Sequence, residues 1–298
     1  MAERAGDCDD SSSAINPDAK ERCNGFDDDC DGEIDEELGE TTCGLGVCQH
    51  TVPNCKDGQP QVCDPMEGAG PEVCGDSKDN NCDGEVDEVP CNYVNSFDDS
   101  GSIADFDIAR TCSQCTATWN SSGSFEMYCP DNCDIFAILK PVVTDGTAEI
   151  HLMVDLYSWE WYDGAPRNGV SFVAPNAIFG AWGPNPGYDF LISDPYDSLQ
   201  GSGCPSDRCP SITKSNGVAI LAMTETTTSA GTTYALDLTM QPALLKFQIT
   251  QSGASVAILT SGDAAYRQGR LALHCSESRC RFDNLRVELS PSSGYPRP

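Results

Sequence analysis

One segment of the chain is written twice, and its charge limits what the first third can fold into. CNGFDDDCDGEIDEE, Cys23 to Glu37, holds eight carboxylates among fifteen residues, with Cys23 and Cys30 among them. It returns as CGDSKDNNCDGEVDEVP from Cys74 to Pro90. Aligned on Cys30 and Cys82, Asp27 matches Asp79, Asp29 matches Asn81, Asp31 matches Asp83 and Gly32 matches Gly84. Ile34 then matches Val86, and Asp35 matches Asp87. Carboxylates at this density repel one another and keep a chain extended unless a cation neutralises them. The cysteines argue the other way, since a disulfide-framed segment has a fixed shape.

The shared register, D-x-[DN]-x-D-G-x-[IV]-D, is that of the first nine positions of an EF-hand-like calcium loop. Side-chain oxygens at positions 1, 3 and 5 converge on one hard cation, and glycine at position 6 allows the sharp turn. The carbonyl of Glu33 or Glu85 at position 7 adds an oxygen, and Asp35 or Asp87 at position 9 binds directly or through water. Position 12, where a bidentate glutamate closes an EF-hand, is Leu38 in one copy and Pro90 in the other. The missing ligand therefore comes from Glu36, Glu88 or an adjacent segment, or the site is weak, in keeping with millimolar extracellular calcium sites. The alternative is a solvated acidic turn held by disulfides without metal. Two copies that keep the glycine, the apolar eighth position and the ninth aspartate favour calcium. Zinc and copper are disfavoured by the all-oxygen ligand set and by only three scattered histidines, His50, His151 and His274.

These residues resemble the MopE-type metal-binding repeats of bacterial surface and secreted proteins, and more loosely thrombospondin type 3 calcium repeats. The matching stretches are GDCDDSSSAINPDAKERCNGFDDDCDGEIDEE and PEVCGDSKDNNCDGEVDE. The opening DCDD resembles the tail of a further unit, so Asp7, Asp9 and Asp10 form a candidate half-site. The resemblance covers about the first 90 residues and implies extracellular metal binding without catalysis. Between the copies, Cys43, Cys48, Cys55 and Cys63 lie among Gly, Pro, Gln and Thr, which suggests a disulfide-clipped hairpin near Val47 and Val52. Connectivity is not legible from spacing, although Cys23–Cys30 and Cys74–Cys82 are plausible local pairs.

Of the formal charge of −30, residues 1–91 account for −20 (25 acidic against 5 basic) and the rest for −10. Nucleic acid and anionic membranes are excluded as partners, because both would be repelled. Ten of the 18 cysteines fall in residues 1–91, the density of small stapled modules in an oxidising compartment. A secreted protein is expected, although MAERAGDCDD has no apolar signal core. No apolar run is long enough for a membrane span.

From Asn92 onward, short apolar/polar alternations such as AEIHLMVDLY, TYALDLTM and LLKFQIT are separated by Gly, Asn, Asp and Pro turns. They predict a mainly β chain: a disulfide-rich calcium module over 1–91, an antiparallel β-sandwich (jelly roll) over 92–289 and a flexible tail over 290–298. Cysteines here come in close pairs, Cys112/Cys115, Cys129/Cys133, Cys204/Cys209 and Cys275/Cys280. CPDNC and CSESRC suit disulfides clamping hairpins, while CSQC with CPDNC offers a less favoured zinc ribbon. The opening NSFDDSGSIADFDIARTCSQCTATWN and the closing GRLALHCSESRCRFDNLRVEL resemble the concanavalin A-like, laminin-G-like sandwich family. That resemblance implies a glycan-binding or adhesive role for many members, and hydrolysis or a structural role for others.

Catalytic motifs are weak. There is no E-x-D-x-x-E or G-x-S-x-G. Glu149 and Asp155, six apart on one strand, would stand about 20 Å apart, too far for a glycosidase pair. YSWEWYDG, by contrast, gathers Tyr157, Trp159, Trp161 and Tyr162 around Glu160 and Asp163 on an expected loop, and FGAWGPNPGYDF adds Trp182 and Tyr188. Aromatic faces with acidic acceptors hold sugars, though such residues also fill cores. The sequence thus reads as a calcium-binding adhesion or lectin-like protein that recognises an extracellular glycan or surface protein. The alternatives are a structural subunit that self-assembles through exposed edge strands, and then a glycoside hydrolase.

Overall fold

A computed structural model describes residues 6, 8–9, 11–130, 133–146, 148–161, 167–180, 183–194, 209–214, 219–263 and 265–291. The chain divides into two compact units, Met1–Glu72 with Ser77–Val86, and Val73–Asp76 with Asp87–Pro298.

The first unit is mostly turns, and covalent bonds replace a core. Its strands are β1 (Glu40–Cys43), β2 (His50–Pro53), β3 (Cys55–Lys56) and β4 (Gln59–Pro60). β1 pairs with β2 around Thr41 and Val52, whereas Val47 lies in the 3-10 turn between them. Disulfides join Cys8–Cys30, Cys23–Cys55, Cys43–Cys63 and Cys48–Cys82. The local pairs Cys23–Cys30 and Cys74–Cys82 do not form. Each of these cysteines is tied to a more distant one, and the longer loops so closed remove more disorder from the unfolded chain.

The second unit begins with β5 (Cys91–Asn95), β6 (Phe106–Arg110), β7 (Thr116–Asn120) and β8 (Ser124–Tyr128). Long strands follow: β9 (Asp134–Asp145), β10 (Ala148–Trp161), β11 (Asn168–Gly180) and β12 (Gly183–Asp194). Then come β13 (Cys209–Lys214), β14 (Ala219–Met223), β15 (Thr232–Gln241) and β16 (Leu244–Gln251). β17 (Ala254–Ser261), β18 (Gln268–Ser276) and β19 (Ser278–Pro291) complete it. One sheet runs β17-β16-β15-β10-β19-β8-β7, with β5 also on β19, and the other runs β14-β13-β12-β11-β18-β9-β6. All the pairings between these strands are antiparallel, so the mainly β, antiparallel sandwich predicted from alternation is what forms.

Alternation places Ile150, Leu152, Val154 and Leu156 of β10 inside, facing Val170, Phe172, Phe190 and Leu273 of the other sheet in one core. Phe190 meets Phe247 edge-on across it, with ring centroids 5.9 Å apart. Phe97, Phe106 and Phe125 stack near one end, and the Trp119 indole donates to the Phe97 carbonyl at 2.8 Å. That bond ties the Phe-Asp-Asp opening to the following tryptophan.

β6 and β9 belong to one sheet and β7 and β8 to the other. The connections 111–115 and 129–133 therefore both cross between sheets, and Cys112–Cys133 and Cys115–Cys129 join the two crossings. The CPDNC pair is not a hairpin clamp, and no thiolates remain there for a zinc ribbon. Cys275–Cys280 does clamp the β18–β19 turn, and Cys74–Cys91 fastens 73–76 to the start of β5.

The far face of the β11–β18–β9 sheet is also buried. There His274, fully enclosed, lies between the carboxylates of Asp134 (3.0 Å) and Asp189 (3.6 Å), with Ser171 donating to Asp189 and Phe136 stacked on the imidazole. Burial pulls the His274 pKa down, but Asp134 and Asp189 outweigh it and hold it above the ordinary value. The imidazolium stabilises the fold fully below the unfolded value, about pH 6.5, and that contribution is lost as pH rises through the raised folded value. Urea melts from pH 6 to 9 should show stability falling with pH, and His274→Gln should flatten the slope.

Candidate functional site

The two acidic copies fold alike, residue by residue. In the first, the Asp27 carboxylate accepts the amides of Asp31 (3.2 Å) and Gly32 (3.0 Å), and Asp31 accepts that of Glu33 (2.8 Å). In the second, Asp79 accepts the amides of Asp83 (3.1 Å) and Gly84 (3.0 Å), and Asp83 that of Glu85 (3.0 Å). Asp29 and Asn81 each accept the amide two residues on. Gly32 and Gly84 sit at φ 101° and 99°, where an L side chain is strained, which accounts for the glycine at position 6. Asp35 caps the amides of Asn24 and Gly25, and Asp87 caps that of Asp76.

A further pair of residues brackets the loops. Glu21 accepts the amides of Asp28 (2.7 Å), Asp29 (3.0 Å) and Asp35 (3.0 Å), and Glu72 accepts those of Asn80 and Asn81 at 3.1 Å. Both lie two residues before the first cysteine of their copy, and that shared E-x-C spacing was the available signal.

Ligand oxygens of Asp27, Asp29 and Asp31 come within 4.8 Å of one another, as do those of Glu21, Asp29 and Glu36. One Glu36 oxygen is enclosed without a hydrogen-bond partner. The Asp29 and Glu36 carboxyls are held above their usual range by desolvation first, and then by neighbouring acids, Asp31 foremost for Asp29 and Glu21 for Glu36. An all-oxygen set with crowded charge and an enclosed orphan oxygen fits a hard divalent cation. Asp27, Asp29 and Asp31 would hold it, while Glu36 falls in a second grouping with Glu21 that shares Asp29. Glu33 is exposed, as is Glu85, consistent with carbonyl rather than side-chain roles. The Cys43/His50/Cys63 and Cys23/Asp35/Cys55 groupings carry no thiolate, since their cysteines are disulfide-bonded. Of the candidate half-site, Asp9 caps Ser11, while Asp7 and Asp10 lie outside the described residues.

The aromatic cluster resolves differently. β10 continues through Trp161, so Glu160 is in a strand and not on a loop. The side chains of Trp159, Glu160 and Trp161, and the residues Tyr162, Asp163 and Trp182, lie outside what is described. Tyr188 is a core residue, fully buried and bonded to Asp263. Tyr157 reaches a pocket on the solvent face of the β7–β8–β19–β10–β15 sheet. The cavity, about 320 Å³, is lined by Tyr157 and Asp155 of β10, Arg281 and Asp283 of β19, Thr233 of β15, and Ser122 and Ser124. The Arg281 guanidinium lies 5.0 Å from the Tyr157 ring centroid, and Asn284 donates to Asp155 at 2.9 Å. Burial, and then Asp155 and Asp98, hold the Asp283 carboxyl above its usual range against the Asn284 amide and Arg281. Arg281 and Asp283 are not legible as site residues in the sequence, and Asp155 enters there only as half of a rejected catalytic pair, because the three come together only when β10 pairs with β19.

The family described as "Putative metal-binding motif", of the copper-binding MopE type, matches residues 7–36 and 68–88. No protein of curated function matches the chain. Among solved structures, the sandwich is similar to lectin UEA-II complexed with galactose (TM-score 0.51, 7% identity, 67% of this chain and 98% of that one). It is also similar to the metal-free lectin I-B4 of Griffonia simplicifolia (0.50, 10%, 67% and 99%). Winged bean acidic lectin complexed with methyl-alpha-D-galactose is a third (0.50, 11%, 67% and 98%). The chain therefore carries two stretches that match the MopE-type metal-binding motif and, over its larger part, an antiparallel sandwich similar in fold to these lectins. Among the described residues no helix is long and apolar enough to cross a membrane.

Glu21→Gln keeps one amide-accepting oxygen but removes the charge. It should weaken divalent-cation binding at the first loop at least tenfold in a calorimetric titration, and leave the second loop unchanged.

Proposed function

We propose that this is a secreted, calcium-binding, lectin-like protein that holds an extracellular glycan in the pocket around Tyr157. The observation that carries the reading is an aromatic ring with a guanidinium over it, beside carboxylates and hydroxyls in one cavity, on a sandwich similar in fold to a lectin complexed with galactose. Such a lining offers a pyranose both C–H contact and directional polar partners. Eight disulfides defined among the described residues support an oxidising, extracellular setting.

Calcium is preferred over other divalent ions for the loops because carboxylates, an amide oxygen at Asn81 and backbone carbonyls make a hard, adaptable cage. The expected set is Asp27, Asp29, Asp31, the Glu33 carbonyl and Asp35 in the first loop. Asp79, Asn81, Asp83, the Glu85 carbonyl and Asp87 form the second. Calcium then turns a self-repelling tract into a rigid module. The work assigned to the protein is recognition, without a catalytic step.

Calcium added to chelator-treated protein should bind saturably and raise the melting temperature, while equal magnesium does so less. Tyr157→Ala should abolish binding on a glycan array while leaving the melting temperature within a few degrees of the parent, since Tyr157 is on the solvent face. Calcium without effect would refute the metal assignment, and unchanged array binding by Tyr157→Ala would refute the pocket.

A further inference from the structure

Resting on the sugar-binding reading of this pocket, we propose that its preferred ligand is an amino sugar whose free, protonated amine sits between Asp155 and Asp283. These two aspartates are direct cross-strand partners on β10 and β19. Like charges in that position destabilise a sheet when nothing offsets them. Asp98 adds a third negative charge that acts on Asp283. Against these acids the described lining supplies one cation, Arg281, placed over the Tyr157 ring. The pocket thus keeps a surplus of negative charge that the fold does not need, and a cationic ligand relieves it.

The cation it suits is an ammonium group. Among the described residues, Asp155 and Asp283 belong to no group of three closely spaced metal-ligating side chains. A bare divalent ion would lack ligands there, whereas an ammonium has three N–H donors and needs three acceptors. Ser124 supplies the third. Its residue is 2% exposed, its Oγ is enclosed without a hydrogen-bond partner, and it lines the cavity. A buried hydroxyl without a partner is unfavourable, and a ligand donor satisfies it.

The remaining lining selects a sugar over a simple amine. Tyr157 offers aromatic surface beside the Arg281 guanidinium for the C–H side of a pyranose, and Arg281, Thr233 and Ser122 meet its hydroxyls. A volume of about 320 Å³ is at the lower end for ligand sites and suits one or two rings at a chain end. A uronic or sialic acid would bring another carboxylate to a site already rich in them, so acidic glycans are rejected.

Three disaccharide probes separate the outcomes on the full, calcium-loaded chain by calorimetry: diglucosamine with free amines, its N-acetylated form, and a glucuronate-containing disaccharide. The free amine should bind roughly tenfold more tightly than the N-acetylated form, as a charged hydrogen bond exceeds a neutral one. The glucuronate should not bind. Asp283→Asn should erase that preference without lowering the melting temperature, because it removes a like-charge clash, and Ser124→Ala should weaken the amine most. Equal or tighter binding of the N-acetylated or glucuronate probe, or a preference that survives in Asp283→Asn, overturns the proposal while leaving sugar binding intact. If no probe and no glycan on an array binds, the sugar reading itself falls, and the amine preference with it.

Discussion

Backbone amides turned inward onto carboxylate oxygens are what the acidic unit depends on. Asp27, Asp79, Glu21 and Glu72 each take two or more such donors, so the crowded acids partly neutralise themselves before any cation arrives. This is also why positive-φ residues recur at Cys30, Gly32 and Asp35 and again at Cys82, Gly84 and Asp87. The chain must curl sharply to aim consecutive N–H groups at one side chain. Disulfides to distant segments then hold the curl, and a module with little apolar core acquires a defined shape.

The sandwich solves the opposite problem. It has ample apolar surface, and period-two alternation sends Ile150 through Leu156 to the core while Asp155 and Tyr157 face solvent. Its two outer faces differ in kind. The β9–β11–β18 side buries an imidazolium between two aspartates, a self-contained charge network with its polar atoms satisfied. The β10–β19 side leaves a like-charge pair and an orphan hydroxyl beside a cavity. The first arrangement satisfies its own polar groups, and the second leaves a buried hydroxyl unmet.

Local patterns were legible in the sequence, and long-range pairings were not. The repeated aspartates, the turning glycines and the long alternating strands β10, β15 and β16 follow from neighbours a few residues apart. β6, β7 and β13 escaped because they are short and carry Asp, Asn or Pro that reads as turn. Tyr188 looked like a surface aromatic beside Gly and Pro, yet its strand face points to the core and Asp263 satisfies its hydroxyl. Cys275–Cys280 is legible because it closes one turn, whereas Cys23 meets Cys55, and Asp155 meets Asp283, only through tertiary pairing.

Six of the seven residues lining the pocket come from β8, β19, β10 and β15, strands hydrogen-bonded in that order, and Ser122 comes from the β7–β8 turn. A seat of that construction is already ordered before anything arrives, so association costs little conformational entropy and needs no closing motion. It also separates recognition from folding. Because Thr233 and Arg281 alternate with the buried Tyr234, Cys280 and Phe282, substitutions at either can change the lining while the hydrophobic layer beneath stays untouched. Such a surface can be retuned position by position, and the same scaffold can serve different ligands.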